Sequence, residues 1–271
     1  MGKLEGKVAF ITGAARGQGR SHAVRLAEEG ADIIGIDICD QIVSVPYPMA
    51  TPEDLAETAR AVEALGRRIV TLKADVRDFD GLQRSFDEGV DKLGPVTIVL
   101  ANAGIAPMTV RPIRQEWQDV LDVNLTGTYH TLEVVVPSMI ANGLGGSIVL
   151  TSSTAGLTGV GSHTPGGLGY NASKHGMVGL MRAYANYLGK DNIRVNTVHP
   201  TALPTPMVMN EAMQEFIESA QMDGSSFAHL LPVEMVESID ISNAIAWLVS
   251  DEARYVTGVA LPVDAGFVAR V

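Results

Sequence analysis

One cysteine in 271 residues excludes a disulfide within the chain, and a lone thiol has no companions for a structural zinc site. Cys39 therefore reads as a small apolar residue after a strand, and no metal is expected. Positive charge is scarce. The 20 Lys and Arg residues stand against 31 Asp and Glu, a formal charge of −11 that repels a phosphate backbone, so nucleic acid is not an expected partner. No stretch approaches the roughly 20 apolar residues that span a bilayer. No basic, apolar and small-residue signal series precedes the first strand pattern. The expectation is a cytoplasmic protein without a membrane partner. Repeats and low-complexity tracts are absent too.

What remains is an alternation of short β-rich apolar runs with helical patterns. Runs at 8–11, 33–36, 69–72, 96–100, 147–151, 194–198 and 259–263 read as strands buried on both faces. The segments between them are long enough for crossover helices, which makes the fold class α/β. A single Rossmann-type, doubly wound domain with a seven-stranded parallel sheet is expected over residues 1–271. Two segments break the rhythm. Residues 41–52 carry Pro46, Pro48 and Pro52 and read as a loop inserted after the second strand. Residues 201–231 are rich in Met and Pro and read as a mobile helical excursion, with the methionines from Met207 to Met235 read as core filler ahead of substrate contacts. Helical patterns at 115–141 and 168–189 are long enough to pair between subunits or to stay solvated.

The first chemical signal is the run Thr12, Gly13, Ala14, Ala15, Arg16, Gly17, Gln18 and Gly19, between a strand and a helix. Glycines there permit a tight turn and let the backbone approach a pyrophosphate at the positive end of the helix dipole. A glycine turn alone says little. Asp37 ends the second strand 18 residues beyond Gly19, where its carboxylate can accept from ribose hydroxyls and repel a 2′-phosphate, which favours NAD over NADP. Arg16 leans the other way if it meets that phosphate, or is a solvated surface charge.

The second signal is Tyr170 and Lys174 at the start of a helical pattern. Four residues apart, they share a helical face, close enough for the ammonium to influence the phenol. A tyrosine of ordinary pKa, roughly 10, needs nearby positive charge to act as a base near neutrality. Ser153 lies at the end of the fifth strand, where a hydroxyl can bond a substrate oxygen, and Asn124 lies within a preceding helical pattern.

With these residues the chain resembles the short-chain dehydrogenase/reductase family over essentially its whole length. The family pattern is met by Gly13, Gly17 and Gly19, by Asp37, by Asp75 and Val76, by Asn102, Ala103 and Gly104, and by Asn124, Ser153, Tyr170 and Lys174. The resemblance implies a catalytic tetrad: Tyr170 exchanges the proton, Ser153 orients the hydroxyl, Lys174 also binds the nicotinamide ribose, and Asn124 supports a proton relay. It implies further that Asp75 and Val76 meet the adenine and that Thr205 contacts the carboxamide, with Arg16 and Gln18 in the phosphate turn. Ser152 is the alternative to Ser153; the second serine of the pair is the one that matches the family's position.

Several positions depart from the pattern. Ala101 replaces the usual first asparagine before Asn102, the gap from Ser153 to Tyr170 is lengthened by a glycine-rich loop at 159–169, and Thr201 stands where a glycine usually follows Pro200. Together with the insert, these resemble the mycobacterial and actinobacterial mycofactocin-coupled dehydrogenases, which include carveol dehydrogenases. That resemblance implies a secondary alcohol, cyclic terpenoid alcohols included, or its ketone as substrate, a tightly held NAD, mycofactocin as an external redox carrier, and a homotetramer. The insert is expected to fold over the adenosine half of the cofactor. An NADP-linked carbonyl reductase and a non-catalytic nicotinamide-sensing module stay open as alternatives.

Overall fold

The computed structural model describes residues 2–159, 161–219 and 228–270. Seven parallel strands form one sheet in the order β3-β2-β1-β4-β5-β6-β7: β1 (Val8–Thr12), β2 (Asp32–Asp37), β3 (Ile69–Lys73), β4 (Ile98–Ala101), β5 (Gly146–Thr151), β6 (Ile193–Pro200) and β7 (Ala260–Val263). The order reverses between β1 and β4. In a doubly wound sheet the crevice at such a switch point opens at the carboxyl ends of the strands, and ligands bind there.

Successive residues of a strand face opposite sides of the sheet, so the central strands feed two cores at once. Phe10, Ile34, Val99, Ile148 and Val195 pack on one face. Ala9, Ile33, Leu100, Val149 and Val198 pack on the other. Phe10 meets Phe86 edge to face with centroids 5.3 Å apart, and burying such a ring is worth about 3 kcal/mol. The expectation that every strand is buried on both faces fails at the edges. β3 and β7 are only half-buried, because an edge strand has a neighbour on one side only.

The helices start where their capping residues dictate. Thr51 caps α2 (Pro52–Glu63) through a reciprocal box with Asp54, and Pro52 occupies the first turn, where a missing N–H costs nothing. Thr164 caps α6 (Pro165–Leu188) by accepting from Gly167 N, without the reciprocal half of the box, and Pro165 opens its first turn. α1 (Gly17–Glu28), α3 (Phe79–Leu93) and α8 (Ser238–Val249) complete the layers around the sheet, with α1 packed on α8. The single helix expected over 115–141 is three pieces: α4 (Gln115–Val120), a π-helical turn at Leu121–Thr126, and α5 (Gly127–Asn142). The π turn carries Asn124.

The excursion after β6 contains α7 (Glu211–Ser219), and α9 (Phe267–Arg270) ends the described chain. Part of the expected excursion, 220–227, lies outside the described residues, Met222 with it. The core-filler reading of the methionines is corrected here. Met207, Met213 and Met235 are half-buried and Met209 is exposed, because this segment lies over the mouth of the crevice and not between layers. Among the described residues no helix is long and apolar enough to cross a membrane.

Candidate active site

The glycine run forms the turn between β1 and α1. Gly13 and Gly17 hold φ of +68° and +55°, and a Cβ on Gly19 would lie 1.9 Å from the Gly13 carbonyl oxygen. Any side chain at these positions breaks the turn. Its outer shape is held by Asn102, whose side-chain amide donates to the carbonyls of Thr12 (3.1 Å) and Gly13 (3.2 Å). The Thr12 hydroxyl in turn accepts from the backbone N–H of Asn102 and of Ala103, both at 3.0 Å. The ends of β1 and β4 are thus laced together below the crevice.

Asp37, at the end of β2, is buried and faces the same crevice. Burial pushes its carboxyl above the usual range, and hydrogen bonds from the backbone of Ala15 (3.0 Å) and Cys39 (3.2 Å) work against that. Cys39 beside it is buried in the core with its thiol pushed up to about 11, chiefly by burial, so it stays protonated as the sequence reading required. Arg16 is engaged: its guanidinium donates to the Pro48 carbonyl at 2.6 Å. Asp75 is held by Arg77 in an ion pair at 2.6 Å, while Val76, Gly104 and Thr205 line the crevice. Gln18 also lines it, and its buried side-chain oxygen has no partner within the protein.

The insert at 41–52 is a structured strap. The Gln41 side chain donates to the carbonyls of Ile42, Val45 and Tyr47 and accepts from Met49 N, which closes the loop on itself. Ser44 donates to Asp119 at 2.5 Å, and Ala106 N donates to the Tyr47 phenol at 3.2 Å. Ile42, Tyr47 and Met49 then form one wall of the crevice, facing Ile105 and Met207. Tyr47 was not anticipated as a site residue. The available signal was an aromatic side chain between Pro46 and Pro48, where two fixed φ angles hold it in place.

Across the crevice, Ser153, Tyr170 and Lys174 converge from the end of β5 and from α6. The serine pair divides its labour. Ser152 is buried and donates to the Lys174 carbonyl at 2.9 Å, whereas the Ser153 hydroxyl faces Tyr170. Lys174 is buried, donates from Nζ to the Thr151 carbonyl at 2.7 Å, and lies 5.4 Å from the centroid of the Tyr170 ring. Burial raises the Tyr170 phenol and the Ser153 hydroxyl draws it back. Lys174 is buried more deeply than the phenol. Burial has pulled that ammonium down to about 7, so it carries only part of its charge at neutrality.

Asn124 does not touch the phenol. Its side chain clips the loop after β4 by accepting from Ile105 N (2.8 Å) and donating to Ile105 O (3.0 Å) and Ser173 Oγ (3.3 Å). A Cβ on Gly104 would lie 3.3 Å from Asn124 Oδ1 and 3.6 Å from Lys174 Nζ, so both groups border the space over that glycine. A π turn adds a residue to the helix, and such turns recur at functional sites. Glu116, another side chain missed from sequence, is buried and bonds Ile113 N and Gly166 N, tying the start of α6 to the loop before α4. Among the described residues no cluster of His, Cys, Asp or Glu could hold a metal ion.

Known proteins share this layout. The family profile described as enoyl-(acyl carrier protein) reductase matches residues 13–268. An uncharacterised oxidoreductase of Mycobacterium tuberculosis is 59% identical over 98% of this chain and 97% of its own length. The (−)-trans-carveol dehydrogenase of Rhodococcus erythropolis is 48% identical over 98% of this chain and 99% of its own. Among solved structures, the carveol dehydrogenase of Mycobacterium avium in complex with NAD shares 53% identity at a TM-score of 0.89, covering 98% of this chain and 99% of that one. A short-chain dehydrogenase of Mycobacterium paratuberculosis bound to NAD shares 47% identity at a TM-score of 0.91, covering 99% and 100%. The chain belongs to the short-chain dehydrogenase/reductase family of oxidoreductases.

Proposed function

We propose that this protein oxidises a secondary alcohol to a ketone with NAD, using Tyr170 as the proton-transfer residue. The observation that carries the reading is the meeting of Tyr170 with the Ser153 hydroxyl and with buried Lys174, whose Nζ borders the space over Gly104 in the crevice that the glycine turn and Asp37 also line. The residues present fit NAD. Side chains are excluded from the turn at Gly13 and Gly19, the carboxylate of Asp37 faces the crevice at a strand end, and Gln18 presents a buried oxygen without a protein partner. Gly13, Gly17 and Gly19 would take the pyrophosphate, Asp37 the adenosine ribose, Asp75 and Val76 the adenine end, and Asn102, Ala103, Gly104 and Thr205 the nicotinamide end. When bound, NAD supplies the acceptor for the hydride of the alcohol carbon.

The chain's own residues manage the proton. The Ser153 hydroxyl holds the alcohol oxygen, and Tyr170, favoured as the phenolate by the positive charge of Lys174 and of an oxidised nicotinamide when bound, takes the hydroxyl proton as the carbonyl forms. Lys174, poised near neutrality, passes that proton onward, and Asn124 holds the loop that walls the relay. Apolar side chains from the strap and the excursion, Ile42, Met49 and Met207 among them, favour an apolar alcohol. The strap's closure on itself and on Ala106 supports slow cofactor release and, with it, reoxidation of bound NADH by an external carrier such as mycofactocin; a cytoplasmic site of action belongs to the same proposal. Exposed Tyr129 on α5 and Tyr187 on α6 support pairing into a homotetramer.

The test is to incubate purified protein with (−)-trans-carveol, with a linear primary alcohol, and with a ketone plus NADPH, following nicotinamide absorbance and identifying products by mass spectrometry. Ketone formation from the cyclic secondary alcohol with NAD is expected. Turnover confined to ketone plus NADPH would replace this reading with the carbonyl-reductase one, and inertness in every arm would leave the sensing module.

A further inference from the structure

His199 lies under the site without touching the crevice. The last backbone bond between β5 and β6 runs from Ser152 N to the Val198 carbonyl at 2.9 Å, and Ser153 then leaves the sheet in an extended conformation. One residue further along β6, the His199 ring takes over, its Nδ1 lying 2.7 Å from the Ser153 carbonyl oxygen. A carbonyl can only accept, so Nδ1 carries the proton and donates. The Nε2 of such a ring is an acceptor, and the Thr197 hydroxyl, 2.7 Å away and two residues back on the same strand face, donates to it.

Both side chains are fully buried. A polar pair inside a sheet layer is costly unless each atom is satisfied, and an apolar pair would fill the space without that requirement. The ring stays neutral, since burial draws its pKa down to about 4, and so adds no charge beside Lys174. Ser153 is consequently held from several directions. Its carbonyl accepts from Gly156 N (2.9 Å) as well as from His199, and its hydroxyl oxygen accepts from Ala155 N (3.2 Å).

We propose that His199, oriented by Thr197, is a positioning residue for Ser153, holding the serine's carbonyl so that its hydroxyl faces Tyr170. This rests on the reading that Ser153 holds the alcohol oxygen. The two carboxamide variants separate the ring's two contacts. In His199→Asn the amide nitrogen stands where Nδ1 stood and keeps the bond to Ser153, whereas in His199→Gln the amide reaches the place of Nε2, where its oxygen can accept from Thr197, and the bond to Ser153 is lost.

Single-turnover reduction of the nicotinamide by carveol, with NAD affinity from calorimetry on stripped protein, is measured for both variants and in a Ser153→Ala background. His199→Asn should stay within about threefold of wild type. His199→Gln should lose 10- to 100-fold in the chemical step, the scale of a small misplacement of a reacting group, with NAD affinity unchanged. In Ser153→Ala, His199→Gln should cost nothing further, because residues acting through one another are not additive. Equal activity of the two amide variants, or full additivity with Ser153→Ala, overturns the assignment. Wild-type turnover in Ser153→Ala overturns the reading of the serine instead, and the catalytic role of His199 with it. If the variants do not fold, the nitrogen-15 shifts of the wild-type ring decide: an Nδ1-protonated neutral ring upholds the proposal, and an Nε2-protonated one overturns it.

Discussion

Replacing Asp37 by Asn separates the two tasks of this carboxylate. One oxygen accepts from Ala15 N and the other from Cys39 N, so the side chain braces the turn as well as facing the crevice where the ribose is proposed to sit. In Asp37→Asn one acceptor survives while the amide nitrogen confronts a second donor, which forfeits one buried hydrogen bond at a cost of about 1–3 kcal/mol. For a chain of this size each kcal/mol lowers the melting temperature by roughly 2–4 °C, so a fall of about 2–12 °C is expected in the nucleotide-free protein. Selectivity changes by more. At ~4 Å and an effective dielectric near 20, two like unit charges repel by about 4 kcal/mol, and loss of the carboxylate charge removes that barrier to a 2′-phosphate. The preference for NAD over NADP, measured by calorimetry with both nucleotides on stripped protein, should shrink by about 10²–10³. An unchanged ratio would show that Asp37 does not face the ribose, whatever happened to the melting temperature.

Tyr47→Phe removes the acceptor of the Ala106 N–H and should cost about 1–2 kcal/mol of stability while speeding nucleotide release. Stopped-flow displacement checks this, and an unaltered release rate would reduce the strap to a surface loop. Lys174 gives a pH signature. Burial draws its pKa in the folded chain down from the ordinary 10.5 to about 7, so between those values the unfolded chain binds more protons and stability rises with pH by up to ~1.4 kcal/mol per unit. The penalty is fully present below pH 7. Denaturant titrations of nucleotide-free wild type and Lys174→Met at pH 7, 8 and 9 should therefore diverge, the wild type gaining relative to the variant as pH rises, and parallel profiles would refute a lowered lysine.

The sheet was legible because strands buried in a parallel array become continuous apolar runs, and its central members sit where those runs are. What eluded the sequence depends on neighbours. The half-burial of β3 and β7 follows from their place at the edges, and strand order is not written in the local pattern of either. The π turn at Leu121–Thr126 adds one residue to a helix whose apolar spacing tolerates the slip, so Asn124 read as an ordinary helical residue. The glycine turn, Asp37, Ser153, Tyr170 and Lys174 could be proposed from sequence because each, weak alone, matches the family pattern in the company of the others. Tyr47, Glu116 and His199 were not, since their partners lie 59, 50 and 46 residues away in the chain. The depth at which Lys174 lies has the same origin. Spacing placed the ammonium on the right face, but only the fold revealed how deeply it is buried.

Single-turnover reduction of protein-bound NAD by carveol, compared between wild type and Tyr170→Phe, tests the central claim most directly, because it reads the chemical step whether or not the nucleotide exchanges. The substitution keeps the buried ring and removes only the hydroxyl. Loss of general acid–base help is worth about 10²–10⁴ in rate, so the variant should bind NAD as the wild type does and reduce it slower by that factor. Reduction at the wild-type rate by a Tyr170→Phe protein with NAD bound would contradict the account.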